Sequence, residues 1–434
     1  MVGQSENIIF IVMKIILLLA IIFSIHSLYA QPLGHFRLVD MPEAVSNNAV
    51  CGDADIKQVY SFGGIDSTKL FSGIHGKVFK HTSGIGWQFL GTWPDSLGKI
   101  AASATIIKNK IYVIGGYSVS SSGNEVSSNK VHIFDMATDS FLADGAPIPL
   151  PIDDHVHVSY MDSLIYIITG WSNTTNVNNV QIYNPALNQW TVGTPVPNNN
   201  FYKAFGANGN INGNTIYYVG GASLGINFPI APFLRKGEIN HMDPTNITWS
   251  YTTDVNAGIY RGAMWGNQNL LVGGSKRTYN YNGLAYAGGV GVNPIDSATT
   301  NYINGGSISN YFAPSFPEVM DLRGVASGQH SYIIAGGMEV NQKVSKRVYF
   351  GRFFMNAVEL KSIEHKIYYA EKFVQIDVAE PCNIKLYDLQ GRLLETSYNT
   401  KSLKINNNKY QLGMYHILLE NGKNISTAKL ILMH

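Results

Sequence analysis

Six runs of apolar residues in this chain each end in two small residues, usually Gly-Gly. They are VYSFGG (59–64), IYVIGG (111–116), IYIITG (165–170), IYYVGG (216–221), LLVGG (270–274) and YIIAGG (332–337). The first small residues stand at 63, 115, 169, 220, 273 and 336, so the steps are 52, 54, 51, 53 and 63 residues. A period near fifty with one strand-like run per period means that each unit is a small supersecondary structure unable to bury its apolar face alone. Units of this kind must stack on one another.

Between the small pairs the units share a second pattern. VHIFDMATDSF (131–141), VQIYNPALNQW (180–190), INHMDPTNITW (239–249) and VGVNPIDSATTNY (290–302) each read as an apolar strand, a turn rich in Asp, Asn and Pro, and an aromatic opening the next strand. Asx side chains and Pro favour tight turns by local bonding and a preset φ. The aromatics in successive units are Trp87, Phe141, Trp190, Trp249 and Tyr302. Each unit is therefore expected to be four short antiparallel strands.

The diglycine, the Tyr/Phe-Asp/Asn turn and the spaced Trp together resemble kelch repeats, over residues 35–354. The resemblance implies an all-β fold, a six-bladed β-propeller over 31–355. The last unit lacks a fourth strand after SKRVYFGRF (345–353), and HFRLVDMPEAV (35–45) supplies one, with Phe36 in the Trp position. The N-terminal strand is thus expected to close the ring and remove an open sheet edge. Thr169 departs from the diglycine, and the fifth unit carries about ten extra residues rich in Gly, Tyr and Asn.

Residues 356–434 have no diglycine and read as roughly seven short strands, a small Ig-like β-sandwich. IKLYDLQGRLLE (384–395) and YQLGMYHILLENGKNISTAKLIL (410–432) resemble the C-terminal sorting domain of the type IX secretion system. The matching residues are Tyr387-Asp388, Gly391-Arg392, Leu412-Gly413-Met414-Tyr415 and Lys429-Leu430-Ile431. The usual opening motif of that domain is missing; Lys366-Ile367-Tyr368-Tyr369 stands near its place. The resemblance implies handling by the type IX machinery and an extracellular or cell-surface destination reached through the periplasm. At the other end, Lys14, the apolar stretch 15–25 and Ser27-Leu28-Tyr29-Ala30 read as a signal peptide over 1–30, with Met13 an alternative start. Cleavage there would leave no transmembrane segment in the mature chain.

The composition limits partners. The net charge is +2 and there is no Lys/Arg block, which disfavours nucleic acid. Cys51 and Cys382, the only cysteines, fit no metal spacing and read as buried free thiols. No metal or cofactor motif is present, and the chain reads as a monomer.

The residues ahead of each first strand are the candidate site. In propellers these positions and the loops after the second strands share one face. They read Asn48, Lys99, His155, Lys203, Arg261 and Arg323. Five of these carry basic side chains, expected to ring the axis as an anion-binding site or to be offset internally by Asp153, Asp154 and Asp321. His155 and His157 share a strand face but lack a third metal ligand. Trp171, Tyr202, Tyr260, Tyr279, Tyr281 and Tyr286 fall in or near the same loops, where exposed rings would suit a sugar and buried ones would fill blade cores or pack at the rim.

Two functions remain. One is a secreted binding protein whose loop face reads a glycan or a protein. The other is a sugar-modifying enzyme resembling the sialate (N-acetylneuraminate) epimerases among kelch-type propellers. That family's Glu-Xaa-Lys-Pro-Gly-Xaa-Arg-like loop is absent; in ASLGINFPIAPFLRKGEIN (222–240) only Arg235 and Glu238 echo it. Copper radical oxidases of the same fold need a cross-linked Tyr-Cys pair and two His, and Cys51 has no suitable His near it in sequence.

Overall fold

The computed structural model describes residues 33–266, 269–296, 299–304, 307–312, 317–353, 363–370, 372–388, 392–411, 413–421 and 424–432. The segment 1–30, read from the sequence as a signal peptide, and the 356–362 start of the tail lie outside them. The described chain forms two compact units, 35–352 and the tail from 353.

The first unit consists of six antiparallel sheets arranged as blades, each of four strands, the second with a short fifth strand, Glu125–Ser127, at its side. Their innermost strands are Ala49–Gly52, Ile100–Ile107, Val156–Tyr160, Asn208–Asn212, Ala263–Trp265 and Ala326–Ser327. Blades one to five run in chain order from the inner strand outward. The sixth takes its outermost strand from Leu33–Arg37, which lies beside Val348–Phe353. The N-terminal strand therefore closes the ring as the pattern predicts. Phe36, expected in a packed Trp position, is 48% exposed instead.

The outer-strand tryptophans join neighbouring blades. Trp87 donates its indole N–H to Val39 O (3.1 Å), Trp190 to Ala146 O (2.8 Å) and Trp249 to Thr194 O (3.0 Å). Each acceptor lies just past the outer strand of the preceding blade. The Trp87 contact makes the first-to-sixth junction like the others. Between blades the core is aliphatic and aromatic, for example Val156, Tyr166, Ile168, Ala207 and Tyr218 at the third-to-fourth junction.

The small pairs have a definite task. The second residue of each pair donates its N–H to a carbonyl of the linker entering the next blade: Gly64 to Lys99, Gly116 to Ile152, Gly170 to Ala204, Gly221 to Ile259, Gly274 to Val319 and Gly337 to Val45, at 2.8–3.0 Å. At the first residue, the approach leaves no room for a side chain. At Gly220 (φ +69°) a Cβ would sit 2.0 Å from Ile259 O. A left-handed residue with no Cβ is what the junction needs. Thr169 takes the same left-handed turn (φ 47°) and is retained because its hydroxyl donates to Val177 O and accepts from Ala204 N.

The fifth blade differs from expectation. Its third and fourth strands are Thr299–Asn304 and Ser307–Phe312, so Tyr302 lies in the third strand. Residues 290–295 belong instead to the long loop after the second strand. That loop folds on itself through bridges Tyr279–Ala285 and Leu284–Gly291. The extra residues close over themselves rather than lengthening the sheet.

The tail unit is an all-β Ig-like domain of five described strands, not seven: His365–Ala370, Phe373–Tyr387, Leu393–Asn406, Gly413–Asn421 and Asn424–Leu432. Phe373–Tyr387 pairs through its first half with His365–Ala370 and through its second half with Gly413–Asn421, with register shifts between. Bulges bend a long strand so that it serves where two short ones were expected. Val374, Ile376, Ile384, Leu386, Ile417 and Leu419 form its core. Both cysteines are free and buried.

Candidate functional site

The diglycine bonds set the true register of the axis. Two residues after each accepting carbonyl stands a residue with positive φ: Asn47, Ala101, Asp154, Gly206, Arg261 and Asp321. These six, one per blade, are the structurally equivalent positions. A ring of hydrogen bonds joins them around the axis. Asn47 N donates to Asp321 O, Leu322 N to Arg261 O, Arg261 N to Gly206 O, Gly206 N to Asp154 O and Asp154 N to Ala101 O. Ala101 N closes the circle on Asn47 Oδ1 (2.8 Å). Left-handed non-glycine residues are costly and mark places where surroundings over-determine the backbone.

Of the six residues read from the sequence, only Arg261 occupies an equivalent axial position. Lys99 stands two residues early and turns outward. It pairs with Asp95 (2.6 Å), contacts His132 (3.1 Å) in the third strand of its blade and lies over the Trp93 ring. Lys203 stands three residues early in its linker and is half-buried. Asn48 donates to Ser61 Oγ and Ala335 O, bracing the first and sixth blades. His155 and Arg323 lie one and two residues past the axial position, and both remain close to it. No ring of five cations forms, because the linkers differ in length and the sequence alignment slips by one to three residues.

What does form at the axis is a buried ion cluster. Arg261 Nη2 and Nε hold Asp154 at 2.5 and 3.2 Å, and its Nη1 reaches Asp321 at 3.4 Å. Asp321 also accepts from Ser46 Oγ and Asn47 Nδ2. Arg323 Nη1 stands 3.5 Å from Asp154, and its Nη2 donates to His155 O (2.8 Å). Internal carboxylates thus offset these guanidiniums, the alternative that Asp154 and Asp321 suggested. Burial raises the Asp321 carboxyl, with Arg261 opposing the rise. Burial also raises Asp153, which accepts from Ser127 Oγ.

On the loop side the cluster is covered by packed rings. Trp171 meets Phe205, Phe205 meets Tyr260 and Tyr260 meets Tyr279, all edge to face at 5.1–5.8 Å. Tyr260 and Tyr279 flank the Arg261 guanidinium at 5.1 and 5.7 Å. Tyr202, Tyr260 and Tyr279 are buried, and Trp171, Tyr281 and Tyr286 half-buried. Of the two readings, core packing is what these rings do; they form a small core and no exposed platform. Arg235 is likewise fully buried in the third strand of the fourth blade, donating to Phe201 O and Gly220 O.

On the other side of the cluster the inner strands of all six blades enclose a cavity of about 480 Å³. Arg323 and His155 stand at its inner end and are buried, whereas Ala54, Asp162 and Ser327 are exposed. The cavity therefore opens at the turns joining first and second strands. Thr105, His157, Asn208, Asn210 and Cys51 line it, and no Phe, Tyr or Trp does. Several of its buried polar atoms have no partner: Arg323 Nε, His155 Nδ1, Thr105 Oγ1 and both amide atoms of Asn208. His155 shares its other ring nitrogen with Ser103 Oγ (2.8 Å). Burial, with Arg323 nearby, lowers His157 to about 3 and His155 well below the ordinary range, so both are neutral at pH 7. Sequence spacing could not point to this cavity; its lining is drawn from every blade. Among the described residues, no group of three or more His, Cys, Asp or Glu is placed to hold a metal ion. No described helix is long and apolar enough to cross a membrane.

Comparison with known proteins agrees with the two units. The Kelch motif matches residues 101–141 and 155–197, in the second and third blades. The Secretion system C-terminal sorting domain matches residues 370–433. No curated protein matches the chain. A solved structure titled "Structure of YjhT" is similar, at 16% identity and a TM-score of 0.58, over 78% of this chain and 99% of that one. The chain is a kelch-repeat β-propeller protein with a type IX secretion system C-terminal sorting domain, which directs it to the cell surface or the extracellular space.

Proposed function

We propose that this exported protein is a binding protein that takes a small polar ligand into the axial cavity of its propeller. One observation carries the reading: buried polar groups from several blades, including Arg323 Nε and Asn208, belong to the lining of one cavity and have no protein partners. Buried polar groups are rarely left unpaired, and a cavity of a few hundred Å³ with a few convergent ones suits a small molecule. Reading of a glycan by the loop face has less support, because Lys99 and Arg261 are spent on internal ion pairs and the rings assigned to it pack into cores.

The test is a screen of glycans and small metabolites against the purified protein, mapped by methyl NMR. Shifts are expected at Val50, Met264 and Val325, which line the cavity. Shifts confined to Leu224, Ile226 and Leu284, exposed in loops after second strands, would move the site to the loop face.

A sugar-modifying enzyme of the sialate-epimerase kind is the second reading. It is favoured by two neutral imidazoles, His155 and His157, in the same cavity as a guanidinium. Burial makes both weak bases, so either would accept a proton only once a bound anion raised its pKa toward neutrality. Absence of any turnover of a bound acidic sugar, followed by NMR, rejects this reading.

A further inference from the structure

The cavity has a chemical direction. At its inner end the carboxylate within ion-pair reach of Arg323, Asp154, is held by Arg261 through three contacts of 2.5–3.2 Å. Arg323 reaches the same carboxylate only at 3.5 Å, donates otherwise to the neutral carbonyl of His155, and leaves Nε–H without a partner. The acidic side chains that line the cavity, Asp53 and Asp162, stand toward the open end. The cavity that Arg323 enters is also lined by groups that neither repel nor neutralise an anion: the Asn208 amide, the Thr105 hydroxyl and the His155 imidazole, each more than nine-tenths buried and each with a free polar atom. The walls carry no Phe, Tyr or Trp ring on which a sugar could stack; their rings are the His155 and His157 imidazoles.

We infer that the inner end of the axial cavity recognises a small carboxylate, anchored on the Arg323 guanidinium with Asn208, Thr105 and His155 around it and admitted from the turn end. This deepens the axial reading above and rests on it. A carboxylate there would accept the idle Nε–H in a charge-assisted bond, and Asn208 Nδ2 could donate to its second oxygen. The ligand's remaining polar groups would meet Asn208 Oδ1, Thr105 Oγ1 and His155 Nδ1. Burial and repulsion from Arg261 pull the Arg323 pKa down, although Asp154 and Asp153 oppose the fall.

The experiment is calorimetric titration of the purified protein with sodium glucuronate, sodium lactate, glucose and inorganic phosphate. At least one carboxylate is expected to bind, and glucose and phosphate to bind at least tenfold more weakly. Arg323→Lys keeps the charge but loses the planar fork, and should weaken the carboxylate ten- to a hundredfold. Because Arg323 also braces Asp154, a second variant is needed that leaves the cluster intact. Ser327→Trp, at the exposed mouth, should abolish binding without lowering the melting temperature. Glucose binding as tightly as glucuronate, and lost in Ser327→Trp, overturns the carboxylate but keeps the axial site. Phosphate binding as tightly also overturns the carboxylate commitment. Carboxylate binding that survives Ser327→Trp places the site elsewhere and overturns both readings. Binding of none of the four leaves a water-filled channel and overturns both as well.

Discussion

Replacing Arg261 by Met tests whether the axis is held by charge pairing. The guanidinium is 1% exposed and touches two carboxylates, Asp154 and Asp321, themselves 1% and 0% exposed. At about 3 Å and an effective dielectric near 20, each contact is worth about 5 kcal/mol before desolvation. Desolvation of the three ions consumes most of that gain. Removing the cation alone is different, since two buried carboxylates lose their partner. The expected loss is about 3–5 kcal/mol in urea unfolding at pH 7. Met keeps most of the volume between Tyr260 and Tyr279, which keeps the cavity contribution small. The pH dependence has a definite sign. Burial already raises the folded pKa of Asp321 above its unfolded value, so its protonated form favours the folded state. Without Arg261 that rise grows, so the variant should regain stability as pH falls toward 4 and lose it as pH rises. The triple variant Arg261→Met/Asp154→Asn/Asp321→Asn should recover most of the loss, because no unpaired charge remains. A loss below about 1 kcal/mol for the single variant, or no recovery in the triple, would refute charge pairing as what holds the axis.

Further outcomes are expected. Deleting residues 33–45 removes the sixth blade's outer strand and the buried Met41 and Val45, each worth about 1.5–3 kcal/mol, so calorimetry should show a sharp fall in melting temperature; an unchanged transition rejects ring closure by the N-terminus. Removing residues 354–434 should leave a folded propeller that accumulates in the periplasm, and normal amounts in the medium would rule out sorting by the tail. His157 has a folded pKa of about 3, below its unfolded value, so the unfolded state protonates first and stability drains as pH falls below about 6.5. Asp153 and Asp321, raised by burial, act in the opposite sense. The measurement is therefore the difference between the protein and His157→Gln from pH 7 to 4, and it should grow by roughly 1 kcal/mol per pH unit; a flat difference shows that His157 is not buried neutral.

How much was legible depended on how local each signal was. The blade period, the four strands per blade, the closing role of 35–45 and the sorting character of 384–395 and 410–432 are written in short-range patterns. A strand alternates within a few residues, and a diglycine marks one backbone approach, so neither needs knowledge of the partner. Thr169 shows the margin: the step of about fifty residues identified it as the third pair's first residue although the glycine was missing, and only its two hydroxyl bonds explain why it is tolerated.

The axis was decided by tertiary structure alone. Its members come from different blades: Arg261 meets Asp154 across 107 residues and Asp321 across 60. Which linker residue reaches the centre depends on where the diglycine bond clamps each linker, and the linkers vary in length. A slip of one to three residues therefore put Lys99 and Lys203 at the axis in place of Ala101 and Gly206. The aromatic loops failed for a related reason. Loop position suggests exposure, but the extra residues of the fifth blade fold inward and bury Tyr279 beside Tyr260. The cavity was invisible for the same cause, since no single repeat contains more than one wall of it, and a polar residue on an inner strand becomes an unpaired group facing a ligand only when six blades close around it.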